Sequence, residues 1–402
     1  MIFVWTIVLV IAVVALFLAF VLLDIYLGQR RLKKETEIHL SPVRLSDVNL
    51  FSDGRRFFDS LEKDITHAKD HIHISFFIFK NDQIGKEFCT LLINMAQKGV
   101  RVRLLLDALC VLTFPRKARK ALADAGVSLA FSAKPYFPFF FYSLNRRNHR
   151  KLAIIDGKIA YVGGFNVGDE YLGRKADMGD WRDYHLRLEG GAVSDIQRQF
   201  LKDWETSTHE KVTGAAYYPD LPKGRYEMKL IGTNAYFLEN LFIDHLERAK
   251  KRIFIGSPYF IPSKKLLNIL IQKLDRGVEV TLLIPAKKDH PFVHPASYAY
   301  LRPLLEHGAR VFHFYEGFYH AKVFLVDDES CYMGTANFDL RSFNWNDEMN
   351  VFIYSKPLID EIEILTQKDL LKSMELTLDD VRRRPFIEKM KTRLSVVLSP
   401  FL

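Results

Sequence analysis

Apolar residues follow two patterns along this chain. The first is an uninterrupted run: residues 2 to 23, IFVWTIVLVIAVVALFLAFVLL, carry no charge and at helical rise span about 33 Å, the depth of a hydrocarbon core. It predicts one N-terminal transmembrane helix, with an anchor over residues 1–28 and a basic juxtamembrane linker over 29–44 that opens Gln29-Arg30-Arg31-Leu32-Lys33-Lys34. A cleaved signal peptide is the alternative, but no basic residue precedes the run and no small-x-small cleavage pattern follows it. The second pattern is a set of short apolar runs separated by helical stretches. HIHISFFIF reads as a strand, a helix ends at Lys98-Gly99, and VRVRLLLD is the next strand; RIFIGSPYFI, a helix ending at Arg276-Gly277 and VEVTLLIP repeat that order. GVSLAF and GARVFHF form a third matching pair after a second helix in each half. The alternation predicts a duplicated α/β sandwich with a mixed, largely parallel sheet in each half, over 45–212 and 226–402. The Pro- and Gly-containing segment 213–225, TGAAYYPDLPKGR, would join the two.

Inside this repeat lies a sharper one. His149, Lys151, Asp156, Gly163 and Asn166 recur as His320, Lys322, Asp327, Gly334 and Asn337, each displaced by the same 171 residues. The string is H-x-K-x4-D-x6-G-x2-N, written HRKLAIIDGKIAYVGGFN and HAKVFLVDDESCYMGTAN. Side chains alternate along a strand, so His and Lys two apart point the same way, and LAII and VFLV suit strands buried on both faces. Asp156-Gly157 and Asp327-Asp328 read as tight hairpin turns, each returning a second strand that delivers the Gly and Asn beside the His-Lys pair. Two hairpins facing each other would build one site for phosphate ester chemistry from two halves.

Composition narrows the partner. The formal charge of +9 favours an anionic one, nucleic acid or an acidic bilayer, and the apolar N-terminus selects the bilayer. Basic residues just after the apolar run place the remainder of the chain on the cytoplasmic side, as a single-pass protein of the cell membrane. Three scattered cysteines, Cys89, Cys110 and Cys331, form neither a disulfide framework nor a zinc spacing and fit a reducing compartment.

The residue types match the chemistry. An imidazole attacks phosphorus only when neutral, so it needs an acceptor on its other nitrogen, and a partner must begin protonated to serve the leaving alkoxide. The two histidines have near-identical sequence surroundings, which leaves their order of action open. Lys151 and Lys322 would neutralise the phosphate, and Asn166 and Asn337 would donate to its equatorial oxygens in the transition state. These four groups supply the compensation that a metal gives elsewhere, so no metal is expected as cofactor. Gly163, Gly164 and Gly334 would let backbone approach the phosphate or the facing half. His71, His73, His185, His209, His290, His294 and His313 read as structural or surface rings.

These motifs resemble those of the phospholipase D superfamily, whose HxKx4D signature occurs twice in its membrane-lipid members. GGFNVGDEYLG, WRDYHLRLEG, GSPYFIP and GTANFDLRSF are similar to segments of the bacterial cardiolipin synthases within it, and the likeness covers nearly everything after the anchor. Two features depart from the family pattern: a single N-terminal apolar segment where many members have two, and Thr335 where serine is commoner. The resemblance implies two phospholipase D-like domains and phosphatidyl transfer between two phosphatidylglycerol molecules, giving cardiolipin and glycerol. It implies His149 as nucleophile, His320 as general acid and then base, and a carboxylate behind each ring, mapping to Asp183 in WRD and Glu348 in NDE. The signature brings Asp156 and Asp327 into the catalytic set, although their place seven residues past each histidine suits a turn or an ion pair. Expected partners are phosphatidylglycerol, other anionic phospholipids and the membrane, with no nucleic acid. Hydrolysis to phosphatidic acid by the same site is the alternative activity, and a non-catalytic membrane-tethered lipid-binding protein is the alternative of another class.

Two further segments have two readings each. KPYFPFFFY at 134–142 is either buried core or a loop dipping into the bilayer beside the site. Residues 386–398 place Ile387, Met390, Leu394, Val397 and Leu398 on one helical face, as an interfacial helix or an ordinary packed terminal one.

Overall fold

The computed structural model describes residues 1–36 and 40–399; residues 37–39 of the expected linker and 400–402 at the end of the second half lie outside the described residues. The two halves repeat one strand order. In the first, the parallel strands Ser128–Ser132, Arg101–Asp107 and His71–Phe76 continue antiparallel into Leu152–Ile155, Ile159–Gly163 and Trp181–Gly190. In the second, Arg310–Phe314, Glu279–Pro285 and Arg252–Gly256 continue in the same way into Val323–Val326, Ser330–Gly334 and Asn346–Ile353. The sheet is mixed, as expected, but it is not largely parallel. Within these six-strand runs, parallel pairing is confined to strands joined through helices, because the three-residue loops at 156–158 and 327–329 can only return the chain antiparallel.

The ladder does not stop between the halves. Strand Arg44–Asp53 pairs with Trp181–Gly190 on one edge and with Tyr226–Asn234 on the other, and the latter pairs with Asn346–Ile353. Period-two alternation then sorts the strand residues into layers. Leu152, Ile154, Val323 and Leu325 point into a core shared by both halves, closed by Ile196, Phe200 and Trp204 of helix Val193–Thr208. The alternate residues face outward, Ile72 and Ile74 against Phe88 and Leu92 in the first half, Ile253 and Ile255 against Leu266 and Leu270 in the second. Strands covered on both faces explain why the motif hairpins read as continuous apolar runs.

The N-terminal helix runs Ile2–Glu35, so Arg30, Arg31, Lys33 and Lys34 lie on its last turns. Its apolar part is long enough to cross a bilayer, and most of it stands exposed, with Phe17, Phe20 and Val21 near its end meeting the rest of the protein. The aromatic segment matches neither of its two readings completely: it docks on this helix. Phe141 packs edge-on against Phe17 and Phe20, with ring centroids 5.8 and 6.2 Å away, and Tyr142 donates its backbone N–H to Asp24 at 3.0 Å. Tyr142 is fully buried over Gly28, where any Cβ would collide with its ring, while Phe137 remains 83% exposed.

Candidate active site

Each His-Lys segment leaves its own half and leans on the other. The His149 N–H donates to the Asp347 carbonyl at 2.9 Å, and the His320 N–H donates to the Arg182 carbonyl at 2.7 Å. These backbone bonds set short parallel pairings, Asn148 with Asp347 and Tyr319 with Arg182. Since a carboxylate follows each docking residue, the pairing crosses the halves: Glu348 lies behind His149 and Asp183 behind His320. Both Glu348 oxygens accept from His149 Nδ1, at 2.9 and 3.0 Å, and Asp183 accepts from His320 Nδ1 at 2.6 Å. With Nδ1 committed, Nε2 of His149 is left for the cleft, while Nε2 of His320 also has the Lys322 ammonium at 3.3 Å.

Alternation along the first motif turns Arg150 away from His149 and Lys151. Its guanidinium is fully buried, donating to the Glu348 carbonyl at 3.1 Å, the Thr233 carbonyl at 2.8 Å and Asp203 at 2.8 Å. That clamp fixes the strand that carries Glu348. Lys151 is buried, donates to the His149 carbonyl at 2.7 Å and sits over the ring of Phe77. Lys322 instead reaches the dyad itself, 2.5 Å from His320 Nδ1 and 3.5 Å from Asp183, and also donates to the His320 carbonyl. His320 Nδ1 cannot both donate to Asp183 and accept from Lys322. The ionised Asp183 is the stronger partner, so Nδ1 carries the proton.

Burial dominates the electrostatics. It pushes His149 down to about 4 and His320 to about 3, against the opposing pull of Glu348 and Asp183, so both rings are neutral near pH 7 in the free protein. Burial also works to raise both carboxylates, but the adjacent lysine and the histidine that donates to each win and hold it below its ordinary range, Lys322 and His320 at Asp183, His149 and Lys151 at Glu348. Lys151 is lowered by burial to about 7.

His149, His320, Asn166 and Asn337 line one cleft of about 650 Å³, together with Phe77 and Trp181. Phe77 meets the His149 ring edge-on at 4.9 Å, and Trp181 lies at 4.9 Å from that of His320. Asn166 is braced by the Ile78 N–H at 3.0 Å and by Tyr171 at 3.2 Å; Asn337 donates to Asp339 at 3.2 Å. Asp156 and Asp327 lie elsewhere. Each adopts positive φ in its hairpin loop and accepts three backbone N–H groups from the turn before a neighbouring strand: Lys69, Asp70 and His71 for Asp156, Lys250, Lys251 and Arg252 for Asp327. A short carboxylate that tolerates left-handed backbone is what such a position selects.

The glycines serve a different purpose from the one expected. A Cβ on Gly164 would lie 1.9 Å from the Asp183 carboxylate, and one on Gly334 would lie 2.5 Å from the Met349 carbonyl, so they admit neighbouring strands and not the phosphate or facing half. Thr335 occupies the place in the second motif that Gly164 holds in the first. Its hydroxyl donates to Glu348 at 2.5 Å, so the hydroxyl is used to orient the carboxylate.

Several cleft residues escaped sequence reasoning. Tyr259 donates to Asp289, Glu170 pairs with Lys80, and Asp339, pushed by burial up to about 6, lies beside Asn337. Tyr259 and Asp339 lie inside SPYFIP and NFDLRS, strings that signalled family but not position. His290, read as a surface ring, is exposed and also lines the cleft.

Comparison with known proteins bears on this geometry. The family described as "Cardiolipin synthase, PLD-like domain" matches residues 61–204 and 242–370, one stretch in each half. The chain belongs to that family. It is 39% identical to the minor cardiolipin synthase ClsB of Bacillus subtilis (strain 168), covering 97% of this chain and 98% of that protein. It is 42% identical to the major cardiolipin synthase ClsA of the same organism, covering 89% of this chain and 76% of that one. In fold it is similar to a phosphatidylserine synthase of Haemophilus influenzae, with a TM-score of 0.71 and 14% identity over 93% of this chain and all of that one. The family's domain thus accounts for both halves of the cleft.

Proposed function

We propose that this cleft joins two phosphatidylglycerol molecules into cardiolipin and releases glycerol, through a phosphatidyl-histidine. The observation that carries the reading is the pair of histidines facing one cleft, each with Nδ1 held by a carboxylate from the opposite half. An incoming phosphodiester brings negative charge into a water-poor site and so raises the proton affinity of the rings and of Lys151. His149 Nε2 attacks phosphorus, the N–P bond forms as the P–O bond to glycerol breaks, and His320 gives its proton to the departing glyceroxide. The terminal hydroxyl of a second phosphatidylglycerol then attacks phosphorus and returns a proton to His320 as the N–P bond breaks. The order of the two histidines is carried over from the family resemblance. Lys151, Lys322, Asn166 and Asn337 compensate the charge on the phosphoryl oxygens.

Both bonds exchanged are phosphodiesters, so concentration sets direction and no nucleotide enters the balance. The basic end of the anchor, Arg30 to Lys34, supports a cytoplasmic position for the cleft. Purified protein given labelled phosphatidylglycerol in micelles should produce cardiolipin and glycerol in equal amounts. Phosphatidic acid as the main product would assign hydrolysis to the site, and no product would reduce it to lipid binding.

A further inference from the structure

The C-terminal corner of the protein has two unused features. Helix Phe386–Leu398 turns Ile387, Met390, Leu394, Val397 and Leu398 outward on one face, with Val397 73% exposed, and Phe386 at its start is 76% exposed. On its other side the helix keeps Ser395 and Ser399 buried and packs against Val293–Glu306, Ser399 facing the Tyr300 hydroxyl at 3.4 Å. Beside it, where it meets Val293–Glu306 and Leu378–Arg383, is a pocket of about 410 Å³. Five cations line it, Arg302, Arg382, Arg384, Lys389 and Arg393; Arg302 is paired with Glu306 at 2.9 Å and Arg384 with Glu388 at 3.5 Å, so the positive charges exceed the carboxylates that answer them. The Arg384 guanidinium lies over the Tyr298 ring, its Cζ 3.6 Å from the centroid, which limits where its donors can point.

An apolar row next to a cationic pocket has the chemistry of a phospholipid monolayer, with acyl chains beside phosphates. The corner is also continuous with the mouth of the cleft. Lys288, Asp289, His290 and Val293 line the cleft, and Lys288 reaches Glu388 of the C-terminal helix at 3.9 Å. We propose that this corner is a second membrane-contact surface: the apolar row enters the monolayer while the pocket takes the phosphate of an anionic phospholipid, apart from the lipids that react. The anchor holds the protein near the bilayer, and the corner orients the rim formed by 287–293 toward it. This proposal does not depend on which phosphatidyl group the cleft transfers.

The test uses the full chain in nanodiscs. All three native cysteines are buried, so Ile387→Cys takes an environment-sensitive thiol fluorophore selectively. The probe is phosphatidylserine in a phosphatidylcholine disc whose acyl chains are brominated at a shallow depth. The label should be quenched several-fold more in discs doped with phosphatidylserine than in phosphatidylcholine alone. Lys389→Gln/Arg393→Gln, both exposed, should remove most of that difference with no change in thermal unfolding; Arg384→Gln should do so in addition if it remains folded. A label that stays in water in both discs overturns the proposal, as does equal quenching in both or a difference that survives the paired substitution.

Discussion

The two halves of the cleft share one motif at one spacing, yet their histidines do not share one environment. His149 rests on a glutamate whose second oxygen is also held by the Thr335 hydroxyl, while Lys151 turns aside to a backbone carbonyl. His320 rests on a shorter aspartate that accepts the Tyr184 N–H at 2.8 Å and lies against Lys322. At the matching place in the two motifs, Gly164 makes room for the Asp183 carboxylate and Thr335 supplies a hydroxyl to Glu348. A duplicated sequence has therefore built two imidazoles with unequal surroundings, because the carboxylates come from strands outside the duplicated string.

The largest effect should come from removing one ring at a time. His149→Asn should abolish adduct formation, whereas His320→Asn should still form a slow adduct on a nitrophenyl phosphodiester analogue whose leaving group needs no proton. Mass spectrometry of digests kept from acid should place the phosphoramidate on the peptide containing His149. An adduct on His320 in the His149→Asn protein would reverse the roles.

Next come the carboxylates. Glu348→Gln and Asp183→Asn keep shape but lose the acceptor that fixes the Nδ1 proton, and by analogy with triad enzymes should each lower kcat by roughly 10³- to 10⁴-fold. Equal, small losses measured in both would mean that the rings are oriented by packing alone.

The matching positions should respond oppositely. Gly164→Ala must displace Asp183 and should cost more than tenfold in kcat, while Thr335→Ser should leave turnover near the original. Thr335→Val should reduce stability by about 1–3 kcal/mol in chemical unfolding, since Glu348 keeps its charge and loses a donor.

Acidity sharpens the contrast further. Lys151 is charged below about 7 and neutral above it, so kcat/KM, which reports the free protein, should fall as pH rises through about 7. The kcat profile should hold to higher pH, because bound phosphodiester favours the ammonium. Lys151→Met should erase the alkaline limb along with most activity. The smallest effect belongs to chelation: turnover in anionic micelles should be unchanged by excess chelator, and loss restored by one divalent ion would refute charge compensation by lysine and asparagine.

Much of the site was legible because it is local. His149 and Lys151 share a strand face by period-two geometry, and the same rule turns Arg150 away. The hairpins were legible from Asp156-Gly157 and Asp327, and the strand-helix-strand order from apolar runs closed by glycine. The proportion of parallel pairing was misjudged, because a run such as LAII is equally apolar whether its neighbour runs with it or against it. The aromatic segment was ambiguous because its partner, the anchor helix, is 118 residues away where Asp24 meets Tyr142.

By itself, then, the sequence determined what covalent spacing controls: one apolar helix long enough for a bilayer, two equivalent hairpins, and histidines and lysines delivered in pairs. It also carried the family, through strings long enough to be specific. Only the tertiary structure decided which carboxylate stands behind which histidine, that Thr335 orients Glu348, and that Tyr259, Asp289 and Asp339 wall the cleft. His149 and Glu348 are 199 residues apart and His320 and Asp183 are 137 apart. No local propensity encodes such a meeting; it is set when the shared core and the ladder through Arg44–Asp53 and Tyr226–Asn234 bring the halves together, at an entropic cost that only extensive packing offsets.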